Sequence, residues 1–385
     1  MSGGVIWNPA WPDEALGSAC VDLRAGVVGS ARDVLARTRL MPDFERRAHV
    51  VSILAAVAAG SNVAETWLRA EPACPDARLV AARVHVVRAL ALFDRKCDPD
   101  APMIGDAARS CVAVARCWPV DPTPWVGLLA LHRTHRWPGV RPEADGTEVV
   151  QGIDGPWGVM EREILPRTAG QCADKPREAG HRLLAYFSPR HGGRNEDHAT
   201  VAAWLSGQVE PGHPWRLLPV VAALEYDKAQ AQAAANAWSA SSTRAQRIRG
   251  LLAALDPAPP PLLAAEVEHK RRQLEAAWKA EAEPEPWQDR QDRIGRAAEE
   301  TYRAWFLNSP DGTPRIPTGV PITDVSLLAW ALYESGRREM AGRVLRHLYP
   351  YASQYPWSRF GDPATVLDQM YRKCLGPAVL RGGSG

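Results

Sequence analysis

Proline stands again and again where one apolar helical run gives way to the next, and this pattern constrains the fold of the chain more than any other feature. Short runs ending near Trp67-Leu68, Cys111 and Trp204 are followed by Pro75, Pro124 and Pro214, and new apolar runs then lead to Val84, Leu131 and Leu224. Proline costs nothing in a first helical turn, where its missing N–H has no partner anyway. A fourth pair, from Leu327 to Leu348, turns on Gly336. After Pro75, the residues Leu79, Ala82, Val86, Leu90 and Phe93 recur at three- and four-residue intervals and so share one helix face. No sustained alternation of β-branched residues marks a strand. A helix pair cannot bury its own apolar stripe, so the expected fold is all-α, with each pair covered by its neighbours.

At the level of single helices, Asn62 and Glu65 are spaced as a capping box. Pro257-Ala258-Pro259-Pro260-Pro261 cannot continue a helix and divides the chain. The expected organisation is an N-terminal helical array over 1–255, a break at 256–261, a C-terminal helical section over 262–381 and a flexible tail at 382–385. Leu262 to Ala282 reads as one long helix, Glu283 to Pro286 as a turn, and Trp287 to Leu307 as the partner helix. The stretch Trp137–Gly155 reads as irregular, and the proline-rich stretch Asn308–Pro321 as a rigid excursion between helices.

The bulk properties narrow the functional classes. A hydrophobic share of 46% with 23% charged residues suits a folded soluble protein, and a net charge of +2 gives no general attraction to nucleic acid or an acidic membrane. No apolar run is long enough to span a bilayer, and the N-terminus has no secretory pattern. Seven cysteines at scattered spacings fit reduced thiols. The expected location is the cytoplasm.

Leu328-Ala329-Trp330-Ala331-Leu332-Tyr333-Glu334-Ser335-Gly336-Arg337-Arg338-Glu339-Met340-Ala341-Gly342-Arg343-Val344-Leu345 resembles one tetratricopeptide-type unit in its large residue, its Leu-Tyr pair, its Gly-Arg turn and its second-helix alanine. The other pairs are spaced irregularly, so the chain as a whole is similar to a degenerate tetratricopeptide-like array. Its texture, rich in alanine, arginine and tryptophan, also resembles helical repeat proteins of high-GC bacteria. The resemblance implies a right-handed α-solenoid of antiparallel helix pairs, ending in a long-helix section, that binds a protein or peptide on its concave face. It carries over no individual binding residue.

Fifteen tryptophans, many beside prolines or at helix starts, suit helix junctions, where the ring buries a large area and the N–H finds a free carbonyl. The group Tyr349, Tyr351, Tyr355, Trp357 and Phe360 is the candidate groove for a partner's apolar side chains. A second group, His181, His191, Asp197 and His198, with Glu178 and Glu196 nearby, offers acid–base or ligand-holding chemistry. Arg190, Arg194 and the Gly192-Gly193 turn add anion-binding potential, although that glycine pair also suits a plain helix end. His132 and His135, with Cys111 and Cys117 upstream, lack the spacing of a zinc knuckle, and Arg133 and Arg136 read as a solvated basic helix end. The basic run His269-Lys270-Arg271-Arg272 is offset by nearby glutamates. No nucleotide-binding or catalytic motif occurs. The expected function is a protein-interaction scaffold with no cofactor and no bound metal. The alternatives are an enzyme or ligand-binding protein using the histidine group, and a nucleic-acid-binding accessory using the helix around Arg271.

Overall fold

The computed structural model describes residues 6–40, 43–95, 101–134, 155–168, 175–226, 287–308, 313–317 and 319–375. The proline break at 256–261, the long helix expected over 262–282, the basic run at 269–272, His135, Arg136 and the tail at 382–385 lie outside these residues. The described residues are helical almost throughout, as the sequence requires.

In chain order they form β1 (Ile6–Trp7), α1 (Glu14–Arg24), α2 (Gly29–Leu40), α3 (Phe44–Ala58), α4 (Val63–Ala70), α5 (Pro75–Asp94), α6 (Ala101–Cys117) and α7 (Thr123–Leu131). Next come α8 (155–168, π-helical over Val159–Ile164), α9 (Arg177–Tyr186), α10 (Asn195–Gly207) and α11 (218–226). The C-terminal part comprises α12 (Trp287–Tyr302, extended by a π-helical Arg303–Leu307), α13 (Ile322–Glu334), α14 (Arg338–Leu348), β2 (Tyr351–Ala352) and α15 (Pro363–Leu375).

Local chemistry sets the helix ends. Asp13 and Asp43 cap α1 and α3 by accepting from the backbone N–H groups of Leu16 (3.0 Å) and Arg46 (2.9 Å). Pro75 opens α5 and Pro124 falls in the first turn of α7, while Pro214 begins a 3₁₀ turn (Pro214–Leu217) that leads into α11. Gly336, at φ +80°, ends α13 in a Schellman turn, with Arg337 N donating to Leu332 O (2.8 Å) and Gly336 N to Tyr333 O (3.0 Å). The expected capping box fails. Asn62 precedes α4 without making a side-chain cap bond, and Glu65 pairs with Arg88, whose guanidinium also bonds Ala59 O at 3.0 Å. An arginine offers a carboxylate more charge and better geometry than a single backbone N–H does.

The helices pack around two apolar cores. The first gathers side chains from α1 to α10, and the second from α12 to α15. They meet on the segment around α11, where Leu218 and Ala222 join the first core while Leu217, Val220, Ala223 and Leu224 join the second. Tryptophans fix this seam. Trp215 Nε1 donates to Pro176 O (3.0 Å), and its indole lies where a Cβ on Gly180 would stand, so only glycine fits there in α9. Trp305 Nε1 donates to Gly212 O (2.6 Å). Both indoles meet the sequence expectation of a buried ring with its N–H on a free carbonyl, whereas the buried Nε1 atoms of Trp67, Trp125 and Trp357 make no hydrogen bond within the protein. The segment before α1 belongs with the second core: β1 pairs in parallel with β2, Ile6 opposite Tyr351, and Trp11 packs edge-on against His347. The expected division into 1–255 and 262–381 is therefore crossed at the N-terminus.

No single helix among the described residues is long and apolar enough to cross a membrane. The bent pair α3 and α4 meets the length and composition requirement jointly, and its apolar side chains lie in the first core.

Candidate functional site

A cavity of about 250 Å³ opens where the two cores meet. The face of α9 supplies Arg177, His181, Leu184 and Ala185, which the helical period aligns. The turn after α9 adds Ser188, Arg190 and His191, α10 adds His198, and α11 adds Val221 and Glu225. From the second core come Thr323, Asp324 and Leu327 of α13, with Tyr355 and Arg359 beyond β2; Arg133 closes the remaining side.

The turn bearing His191 is held by local rules. Ser188 caps it, and Gly192 at φ +91° ends it, with Gly193 N donating to Ser188 O at 3.1 Å. A Cβ on Gly193 would collide with the Phe187 carbonyl, so the close return of the chain requires glycine. The sequence expectation of a helix end at Gly192-Gly193 holds, and that same turn carries side chains to the cavity.

Charge on the cavity wall is lopsided. Arg133, Arg177, Arg190 and Arg359 face only two lining carboxylates, Glu225 and Asp324. Arg177 grips Asp324 through two bonds, Nε to Oδ2 at 2.7 Å and Nη2 to Oδ1 at 2.5 Å. Burial alone would raise the Asp324 carboxyl, but the charge and bonds of Arg177 outweigh it and hold the group below the usual range. Glu225 accepts from Ser188 Oγ (2.8 Å) and Arg359 Nη2 (2.5 Å). Burial again opposes ionisation there, and those two bonds overcome it. Arg190 stands 3.6 Å from Glu225 with half its side chain exposed, the loosest ion pair on the wall. Arg133 reaches Asp94 at 2.7 Å. Its side chain is only 11% exposed, which corrects the expectation of a solvated helix end: the turn Arg133 sits on is covered by α9 and its neighbours.

The three histidines of the sequence candidate all line this cavity, in different states. His191 is anchored, Nδ1 at 2.9 Å from Ala185 O and Nε2 at 3.4 Å from Asp94. Burial, aided by the positive charge of Arg177, pushes His181 down to about 3, and burial brings His198 to about 4, so both rings are neutral at neutral pH. The Nε2 of His181 is buried, has no hydrogen-bond partner in the protein and lies 4.0 Å from Asp324. The Tyr355 hydroxyl is likewise buried and unbonded. It feels the charges of Arg359, Glu225, Arg190 and Asp324, all lining groups.

Asp197 stays outside. It pairs with Arg194 through two 3.1 Å bonds on the exposed side of α10, because residues 197 and 198 project from a helix in directions about 100° apart. Glu178 is also turned away, held between Arg83 and Arg182, which overcome its burial and bring it down to about 2.

The aromatic candidates disperse. Trp357 is fully buried in the second core and lines no surface groove, since its large ring gains more from burial than from contact with water. Phe360 is exposed but stacks on Trp330, Tyr349 packs edge-on against Tyr371, and Tyr351 belongs to β2. Only Tyr355 reaches the cavity, where it joins the histidine group that the sequence presents as a separate candidate. His132, Cys111 and Cys117 do not form a set either: His132 bonds Leu128 O, Cys111 is buried and pushed up to about 12 by that burial, and Cys117 is exposed beside Arg78. Among the described residues, no three histidine, cysteine or acidic side chains come together as a metal site.

Sequence reasoning misses Arg133, Arg177, Arg359, Glu225 and Asp324. Two of these left a trace. Arg177 and His181 are four apart on one helix, and Glu225 ends the otherwise apolar run Leu217–Leu224. Compared with known proteins, the chain matches no family model, no curated sequence and no solved structure.

Proposed function

We propose that this protein binds a small organic anion, a carboxylate or a phosphate ester, in the cavity between its two cores. The carrying observation is the convergence of four arginines on a half-open cavity with only two lining carboxylates to offset them. Guanidinium groups recognise planar carboxylates and phosphates through paired N–H bonds, and such bonds strengthen where water is excluded. Arg190, loosely paired and half exposed, is the group free to swing onto an entering anion, with Arg359 behind it on the same glutamate. A cavity of about 250 Å³ lies below the roughly 300–1,000 Å³ of drug-sized sites, so the ligand has on the order of a dozen non-hydrogen atoms.

In this reading the helix pairs form a tetratricopeptide-like, right-handed stack whose value lies in the pocket it frames rather than in a peptide groove, and the protein works in the cytoplasm. Support for the pocket comes from its unspent hydrogen-bonding groups. The aromatic candidates supply less, since Trp357 is buried.

Thermal unfolding and calorimetry of the full chain test the reading with citrate, propionate, lactate, inorganic phosphate, propyl phosphate and glycerol phosphate, against chloride at matched ionic strength. An anion that binds should stabilise the fold by about 2.7 kcal/mol at one hundred times its Kd. Absence of a saturable, chloride-corrected response to every one of these anions refutes the proposal.

A further inference from the structure

We infer that the anion taken by this cavity also carries a hydroxyl group, and that Tyr355 and His181 select for it. The ligand class is then a small hydroxy acid or a phosphorylated polyol. This rests on the anion reading above and goes further, because it assigns work to two groups that charge alone leaves idle.

The physical argument starts from cost. A buried polar atom without a hydrogen bond is expensive, so native structures leave few of them. Here three such atoms, the Tyr355 hydroxyl, His181 Nε2 and Arg133 Nε, belong to residues that line the same cavity, and the first two sit on neutral groups. The lining carboxylates and His191 are already committed. Asp324 is held by Arg177, and Glu225 by Ser188 and Arg359, while His191 is fixed by the Ala185 carbonyl and Asp94. Neither idle group suits the anionic end of a ligand as well as the arginines do, because both are neutral. A phenol gives or takes one hydrogen bond, and the nitrogen of a neutral imidazole does one or the other according to tautomer. A ligand hydroxyl, donor and acceptor together, satisfies both partners whichever tautomer is present. A bare carboxylate or phosphate only accepts.

The two groups come from the two halves of the seam, His181 from α9 on the first core and Tyr355 from the segment beyond β2 on the second. A hydroxyl bonded by both therefore bridges the cores at the point where the cavity forms. Arg359 lies over the Tyr355 ring, 5.4 Å from its centroid, which ties the phenol to the anion-binding arginines. A site built to hydrogen-bond a ligand hydroxyl rejects the analogue lacking it, because the analogue leaves buried groups unpaired.

The test uses matched pairs differing in hydroxyls, lactate against propionate and glycerol phosphate against propyl phosphate, titrated calorimetrically into the full chain and into Tyr355→Phe. In the pair that binds, the hydroxylated member should be tighter by about tenfold to one-hundredfold, as two newly satisfied buried groups require. Tyr355→Phe should shrink that ratio at least threefold while keeping the affinity for the deoxy compound. Its melting temperature should hold or rise, since the lost hydroxyl bonds nothing in the protein. Equal affinities within both pairs overturn the inference and leave the anion reading intact; no binding by any of the four compounds or by inorganic phosphate and citrate overturns both. A marked fall in melting temperature for Tyr355→Phe also overturns it, because it would show that the hydroxyl serves the fold.

Discussion

Around Arg47, three guanidinium nitrogens meet oxygens of the protein: Nε donates to Asp121 (2.7 Å), Nη1 to Thr38 (3.1 Å) and Nη2 to Asp76 (2.9 Å), with the group lying over the Trp118 ring. Arg177 also binds a buried carboxylate through two bonds, yet its surroundings contain a cavity, an unbonded imidazole nitrogen and an unbonded phenol. Both clusters spend desolvation energy on buried charge. In the first the helices α3, α5 and the start of α7 close completely over the ions, with Arg47, Asp76 and Asp121 all fully buried. In the second, elements from two cores meet without filling the space. Burial of charge by itself therefore says little about function, and neither does an unbonded atom alone, since Asp76 Oδ2 also makes no hydrogen bond; what separates a site from a strut is open volume beside the unspent groups.

That comparison breaks first at Arg47. Replacing it with alanine leaves Asp76 and Asp121 buried without their main countercharge and should cost about 3–5 kcal/mol, read as a lower midpoint in urea unfolding. A loss below about 1 kcal/mol would mean that the cluster is not the strut described.

The next effect concerns Glu45, whose carboxyl accepts from Arg177 N (2.6 Å) beside the cavity cluster and is pushed up to about 8 by burial. Because its folded value lies above its unfolded value near 4.5, its contribution is fully present below pH 4.5 and is lost as pH rises toward 8. Glu45→Gln should thus gain on the parent between pH 6 and pH 9, by on the order of 1 kcal/mol. Parallel melting-temperature profiles of the two proteins across that range would contradict the assignment.

The smallest effect on folding sharpens the contrast most. Arg190→Ala should leave stability within about 0.5 kcal/mol, as for an exposed side chain, yet weaken anion binding roughly tenfold, as loss of one charge-assisted contact does. Unchanged affinity in calorimetry would remove Arg190 from the site.

Much of the helical layout is legible in the sequence. Pro75 and Pro124 mark helix starts and Gly336 marks a turn, while on α5 the expected Leu79, Ala82, Val86 and Leu90 are buried, Phe93 is half-buried, and Val80, Ala81 and Val84 on other faces are buried as well. The Asn62 cap was not legible, because its competitor, Arg88, arrives from the next helix. The candidate site was legible only in fragments. His181, His191 and His198 lie within one short stretch, so their nearness in the chain survives folding. Arg133 reaches them by helix packing within the first core, and Glu225, Asp324 and Arg359 only where the two cores meet, and no local period encodes which turns will face each other. Trp357 and Tyr355 show the same limit from the other side, two residues apart in one aromatic group yet divided between core and cavity.

The pairing of β1 with β2 has a consequence for how the molecule comes apart. A linear stack of helix pairs frays from either end, since each terminal unit has one neighbour. Here Ile6 N donates to Pro350 O at 2.9 Å and Trp11 rests on His347, so the segment before α1 is a neighbour of α14 and β2. Unfolding either segment strips contacts from the other, so residues 6–11 and 347–352 should loosen together.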